Sequence, residues 1–177
     1  PTGNRKGPDP RKPWETLEAF LDGATDADPG IEVPWTGDAR IMFTSGTTGR
    51  SKGVIKQHAS DYFSGKTYTL VCDVTEDDVF YSCLPLFHSN AQVLASYPAL
   101  IAGARIQFQE RYSSSRFWPT VVECGATVLN TVSAINYFIW NTPATELDRA
   151  HTVTRIMAMP APKDIYHEFQ DRFGIRF

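Results

Sequence analysis

Cysteine is scarce in this chain: only three occur, Cys72, Cys83 and Cys124. They are odd in number and far apart, and no C-x-x-C pair is present. Neither a disulfide scaffold nor a zinc site is indicated by that spacing. The three thiols read as small buried apolar groups in a reducing compartment, and a cytoplasmic location is expected. No apolar run reaches the length of a membrane span. No secretory signal pattern opens the sequence. Charge imbalance is also missing, with a formal net charge of -3. Nothing suggests the basic patch of a nucleic-acid binder, so nucleic acid is not an expected partner. Internal repeats and low-complexity tracts are absent.

What is present is ordinary globular composition: 42% hydrophobic, 21% charged and 12% aromatic residues. A chain of 177 residues can build one domain with a real core, since a domain of about 150 residues buries roughly 70% of its unfolded surface. The chain begins Pro1-Thr2-Gly3 without methionine and ends on Phe177. It therefore reads as an internal piece of a longer protein.

Residues 1–13 carry prolines and the basic pairs Arg5-Lys6 and Arg11-Lys12, and read as an extended solvated segment. Residues 14–21 have apolar side chains at helical spacing. Residues 1–38 are taken as this segment and helix leading into the domain. Residues 39–177 are taken as a partial α/β domain. Strands are expected at 39–43, 54–55, 79–83, 104–108, 127–129 and 153–157. Helices are expected at 58–70, 91–101, 113–123, 133–140 and 163–173. Serines are the N-cap candidates of two helices: Ser113 to Ser115, and Ser133. Thr75-Glu76-Asp77-Asp78 reads as a solvated acidic turn rather than a metal site. From residue 79 onward, short apolar strands alternate with helices. That pattern predicts a mostly parallel sheet flanked by helices, with right-handed crossovers.

The most specific stretch is Thr44-Ser45-Gly46-Thr47-Thr48-Gly49-Arg50-Ser51-Lys52-Gly53. It lies between the apolar runs Ile41-Met42-Phe43 and Val54-Ile55. Glycines at 46, 49 and 53 permit positive φ and close approach to a ligand. The hydroxyls of Thr44, Ser45, Thr47 and Thr48 join backbone N–H groups in a possible anion-binding concavity. Lys52 adds a compact positive charge suited to phosphate. A plain Gly/Thr hairpin between two strands explains the composition equally well. The common P-loop does not fit, because Gly53 rather than Ser or Thr follows Lys52.

The order of these residues resembles the signature loop of the adenylate-forming superfamily, T-S-G-[ST]-T-G-x-P-K-G-V. Matches fall at Thr44, Ser45, Gly46, Thr47, Thr48, Gly49, Lys52, Gly53 and Val54, while Ser51 stands where proline is usual. The resemblance implies an AMP-dependent acyl-CoA synthetase or ligase and assigns the chain to part of its large N-terminal domain. Leu84-Pro85-Leu86-Phe87-His88 resembles the P-[LM]-[FY]-H segment of acid–CoA ligases. There the aromatic residue and histidine line the acyl pocket and gate the path between carboxylate and thiol. That role is carried to His88 and Phe87; on the residues alone, a histidine at a helix N-terminus is the simpler reading. The aspartate motif of amino-acid-activating members is missing, which implies an acid without an α-amino group. Ala158-Met159-Pro160-Ala161-Pro162 occupies the place of the family's G-G-A-P loop. Ala161-Pro162 match, while Met159 and Pro160 replace the glycines. The substitution is similar to carnitine/crotonobetaine-type CoA ligases and implies a reshaped acyl site at Met159, Pro160 and Ala161.

The implied chemistry has two steps. A carboxylate attacks the α-phosphate of ATP, giving an acyl-adenylate and pyrophosphate, and coenzyme A then displaces AMP. Magnesium is expected on the phosphates, although no metal ligand is assigned in this chain. The family's magnesium-binding glutamate, ribose-binding aspartate and C-terminal lysine would all lie beyond Phe177. The chain alone is therefore expected to be inactive as a ligase. A non-catalytic nucleotide-binding or regulatory domain that keeps the loop is the alternative.

Overall fold

The computed structural model describes residues 16–44 and 49–177. Its contacts divide the chain into two units, Pro1–Val33 and Pro34–Phe177. In the first, helix α1 is short, Leu17–Leu21. Thr16 caps it, its Oγ1 accepting from the Ala19 N–H at 3.2 Å.

The second unit opens with an antiparallel ribbon of β1 (Asp38–Phe43) and β2 (Gly53–Gln57). Phe43 pairs with Gly53, Met42 with Val54 and Ile41 with Ile55. Helix α2 (His58–Val71) follows directly. The ribbon is tied down at its root. Arg40 of β1 grips Asp61 of α2 bidentately, Nε to Oδ2 at 2.7 Å and Nη2 to Oδ1 at 2.9 Å. Tyr97 donates to the same carboxylate at 3.3 Å. Bidentate pairs of this kind fix geometry as well as energy. Burial first, and then the Asp61 charge, raise the pKa of Tyr97.

Strand β3 (Val79–Ser82) leads into a short helix α3 (Ser89–Ala91), a π-helical turn at Gln92–Ser96 and helix α4 (Tyr97–Ala102). Strand β4 (Arg105–Phe108), helix α5 (Phe117–Glu123) and strand β5 (Val128–Thr131) come next. Helix α6 (Ser133–Trp140), strand β6 (Arg155–Ala158) and helix α7 (Tyr166–Phe173) complete the series. The four strands β3 to β6 form a parallel sheet in the order β4-β3-β5-β6. Arg176 bridges in parallel to Arg155, so the stretch after α7 begins to pair at the β6 edge.

Alternation along the strands sorts the two faces. Phe80, Val128 and Met157 pack with Leu94, Ala95 and Ala99 from the π-helical turn and α4. Tyr81, Leu129 and Ile156 pack with Phe117, Ile139 and Phe169 from α5, α6 and α7. Every residue of β3 and β5 is buried, as expected of parallel strands covered on both faces. Gly65 of α2 sits where a Cβ would lie 2.6 Å from the Tyr97 Cβ, so glycine lets α2 and α4 touch closely.

Four expectations need correction. Val132, not Ser133, occupies the N-cap of α6, and the Ser133 hydroxyl donates elsewhere. Arg116 is the N-cap of α5, so the serines before it form a turn, with the Phe117 N–H bonded to the Ser113 carbonyl at 2.9 Å. Asp78 is not solvated. It is 6% exposed, pairs with Arg155 and accepts from Thr127 Oγ1 at 2.6 Å and from the Thr75 N–H at 2.9 Å. A long-range partner reversed the local expectation, because Arg155 lies far along the chain. Finally, the 91–101 segment is not one α-helix but contains the π-helical turn.

His151 gives the fold a pH dependence. Its ring stacks on Trp118 with centroids 4.7 Å apart and planes at 9°. Burial is the main cause of a lowered pKa, and the nearby Asp148 backbone and carboxylate offset only part of it. The unfolded chain therefore takes up a proton near its ordinary value of about 6.5, which the folded chain refuses. Stability is full above that value and falls as the pH drops through it toward the folded pKa. Denaturation midpoints measured at about pH 7.5 and about pH 5.5 should differ by less in His151→Phe than in the parent chain. An equal drop in both would assign the acid sensitivity to other groups.

Candidate functional site

The sheet order places the site. The chain runs from β3 outward to β4, then returns to the other side of β3 for β5 and β6. The strand order thus reverses between β3 and β5. In open α/β sheets the crevice outside the carboxyl ends of the strands at such a point is where ligands bind. Ser82 ends β3, and its register partner Asn130 is the last residue but one of β5.

The histidine turn grows from the end of β3. The His88 N–H bonds the Pro85 carbonyl at 3.0 Å, and Gln92 Nε2 bonds the Leu86 carbonyl at 2.5 Å. His88 is the N-cap residue of α3 but makes no side-chain capping bond. Both expected site residues are exposed, Phe87 at 72%, and their rings lie 4.6 Å apart. The turn is braced while its two rings stand free. The neighbouring Cys83 is no nucleophile at neutral pH, since burial pushes its thiol up to about 11.

The loop after β6 sits against this turn. Asn90 Nδ2 donates to the Met159 carbonyl at 3.2 Å. Ser133 Oγ donates to the Pro160 carbonyl at 2.7 Å. Met159 is itself 52% exposed, and Ala161 lies next to Pro160. Asn90, two residues after His88, thus links the segment that follows the histidine turn to the Met159–Pro160 loop at the carboxyl end of the sheet.

The signature loop is carried by the β1–β2 ribbon. The Thr44 N–H bonds the Lys52 carbonyl at 2.9 Å and closes the turn. Gly49 and Lys52 are exposed; Ser45, Gly46, Thr47 and Thr48 lie outside the described residues. Gly49 and Gly53 do not take the expected positive φ. Gly53 is needed for another reason, because a Cβ there would meet Ile41 Cγ2 at 2.9 Å. Among the described residues, no hydrogen bond joins Thr44, Gly49 or Lys52 to the histidine turn. No cluster of three or more His, Cys, Asp or Glu side chains suits a metal ion among the described residues. No described helix is long and apolar enough to cross a membrane.

Ser82, Asn90 and Asn130 were not singled out from the sequence, and Ser133 was read only as a helix cap. The available signal was a polar residue inside an apolar strand, Asn130 after Val128-Leu129.

Compared with known proteins, residues 8–177 match the model of the AMP-binding enzyme family. The chain belongs to that family. It is 34% identical to a long-chain fatty acid transport protein of Mus musculus over 90% of this chain and 24% of that protein. It is 35% identical to a crotonobetaine/carnitine–CoA ligase of Salmonella typhi over 78% of this chain and 27% of that protein. Among solved structures, it superposes on an o-succinylbenzoate coenzyme A synthetase of Bacillus subtilis in complex with AMP. There the TM-score is 0.66, with 26% identity over 79% of this chain and 29% of that one. The chain thus spans about a quarter of the length of the curated relatives it matches. The family and fold expectations hold: a parallel sheet flanked by helices, in a chain of the AMP-binding enzyme family.

Proposed function

We propose that the full-length protein is an ATP-dependent acid–CoA ligase that activates a carboxylic acid as its adenylate and transfers the acyl group to coenzyme A. The observation that carries this reading is the residue order of Thr44 to Val54 between the paired strands β1 and β2, in a chain of the AMP-binding enzyme family. Thr44, Ser45, Gly46, Thr47, Thr48, Gly49 and Lys52 hold the leaving phosphates of ATP. Their task is positioning and charge stabilisation rather than covalent chemistry. His88 and Phe87 line the acyl side and gate the thiol's approach, and Met159, Pro160 and Ala161 form the facing wall. Magnesium would arrive with the triphosphate, since no cluster of three or more His, Cys, Asp or Glu among the described residues suits a metal ion.

The acid is one without an α-amino group. Relatives named for fatty acids and for carnitine support a first panel of those two classes. The free thiols of Cys72, Cys83 and Cys124 suit a reducing cytoplasmic setting. The test is pyrophosphate release by the full-length protein over a panel of carboxylic acids, with and without coenzyme A. Acid-dependent release is expected, with acyl-CoA formed only when the thiol is present. No acid-dependent release would leave a non-catalytic nucleotide-binding domain as the reading. The 177-residue chain alone is expected to form no acyl-CoA.

A further inference from the structure

Ser82 and Asn130 are both 0% exposed, at the carboxyl ends of the two strands that flank the point of strand reversal. A buried polar pair there costs stability unless each group is bonded. Each is. Ser82 Oγ and Asn130 Oδ1 bond at 2.9 Å. Asn130 Nδ2 donates to Asn90 Oδ1 at 2.8 Å, with the Met157 carbonyl at 3.5 Å. Asn90 Nδ2 then donates to the Met159 carbonyl at 3.2 Å. The donors all point one way, from strand β3 through β5 and the start of α3 to the loop after β6. Bonds aligned in such a chain polarise and strengthen one another. Apolar side chains would fill the core as well as Ser82 and Asn130 do. What the polar pair adds is a fixed seat for the Asn90 carboxamide.

We propose that Asn90 is a positioning residue that holds the Met159–Ala161 loop against the histidine turn, with Asn130 as its buried anchor, and so sets how tightly the carboxylic acid is held. This rests on the acyl-site reading of His88 and Met159 given above. Asn90 is two residues from His88, and its single carboxamide joins Asn130 of β5 to the Met159 carbonyl. Among the described residues it bonds none of the 44–53 loop, so its influence falls on the acid and not on ATP.

The sharpest variant is Asn90→Asp. It keeps the shape and the acceptor for Asn130 but cannot donate to the Met159 carbonyl. In the full-length protein the KM for the acid should rise about tenfold, the cost of one lost bond beside an acceptor left unpaired. The KM for ATP and the melting temperature should stay nearly unchanged. Amide hydrogen exchange supplies a readout independent of activity: within residues 158–162, the amides of Ala158, Met159 and Ala161 should exchange faster in Asn90→Asp, while β3 and β5 keep their protection. Unchanged exchange at 158–162 overturns the tether. Faster exchange with an unchanged acid KM overturns the positioning role. A fall in melting temperature with both KM values shifted together also overturns it, in favour of a merely structural residue. If the parent protein releases no pyrophosphate with any acid, the ligase reading has failed and the assigned role with it. The exchange result then still reports on the tether, so the two failures are told apart.

Discussion

Replacing Lys52 by alanine in the full-length protein is expected to lower kcat/KM for ATP about a hundredfold, the typical loss when one preorganised donor to a developing negative charge is removed. The fold should not suffer. Lys52 is exposed, and its part in closing the turn is a backbone one, its carbonyl accepting from the Thr44 N–H at 2.9 Å. Alanine keeps that carbonyl. The loss is therefore one of charge toward a ligand, and the melting temperature of Lys52→Ala should match the parent's. Lys52→Arg keeps the charge but replaces a compact ammonium with a planar fork, so it should recover part of the activity. Steady-state kinetics with ATP varied at saturating acid measures this. Parent-like kinetics in Lys52→Ala would remove the lysine from the nucleotide site.

The second large effect is on stability. Asp78 ties together the amino ends of three strands. Beyond its pair with Arg155 at the start of β6, it accepts from Thr127 just before β5 and from the Thr75 N–H just before β3. The carboxylate is 8% exposed and the Arg155 side chain 19%. Asp78→Ala leaves the guanidinium nearly buried without its counter-charge. Breaking such a pair from one side costs about 3–5 kcal/mol. For a chain of this size that corresponds to a fall in melting temperature of roughly 10 °C. Calorimetry should find it. The double variant Asp78→Ala, Arg155→Met removes the stranded charge and should recover a sizeable part. A loss below about 1 kcal/mol in the single variant would mean the pair is solvated after all.

The sheet was legible because its strands are short apolar runs with helices between them, and all four parallel strands were found near their expected places. Gly174, with φ of 71°, stops α7 at the end of the expected span 163–173. The loop at 44–53 was legible because its order, not its composition, is specific. Less legible was anything decided by a distant partner. Asp78 looked like one acid in a solvated turn until Arg155 stood beside it. Nothing in the local sequence marks Asn90. Its partners lie 40 and 69 positions away, and no local periodicity encodes either. The serine caps failed for a related reason. A hydroxyl near a helix start satisfies a local rule, but Ser133 found the Pro160 carbonyl instead.

One irregularity in the segment behind the histidine has a geometric corollary. In the π-helical turn at Gln92–Ser96, the Tyr97 N–H reaches back to the Gln92 carbonyl, and the Ser96 hydroxyl to the Ala91 carbonyl at 3.0 Å. Such a turn holds one residue more than an α-helical turn would. Removing that residue would restore a regular helix and swing everything ahead of it by about 100° around the axis. The Asn90 carboxamide would then face away from the Met159 carbonyl. The length of this segment, counted in whole residues, is thus a phase setting for the site, one that a deletion would upset and a side-chain exchange in the same turn would leave alone.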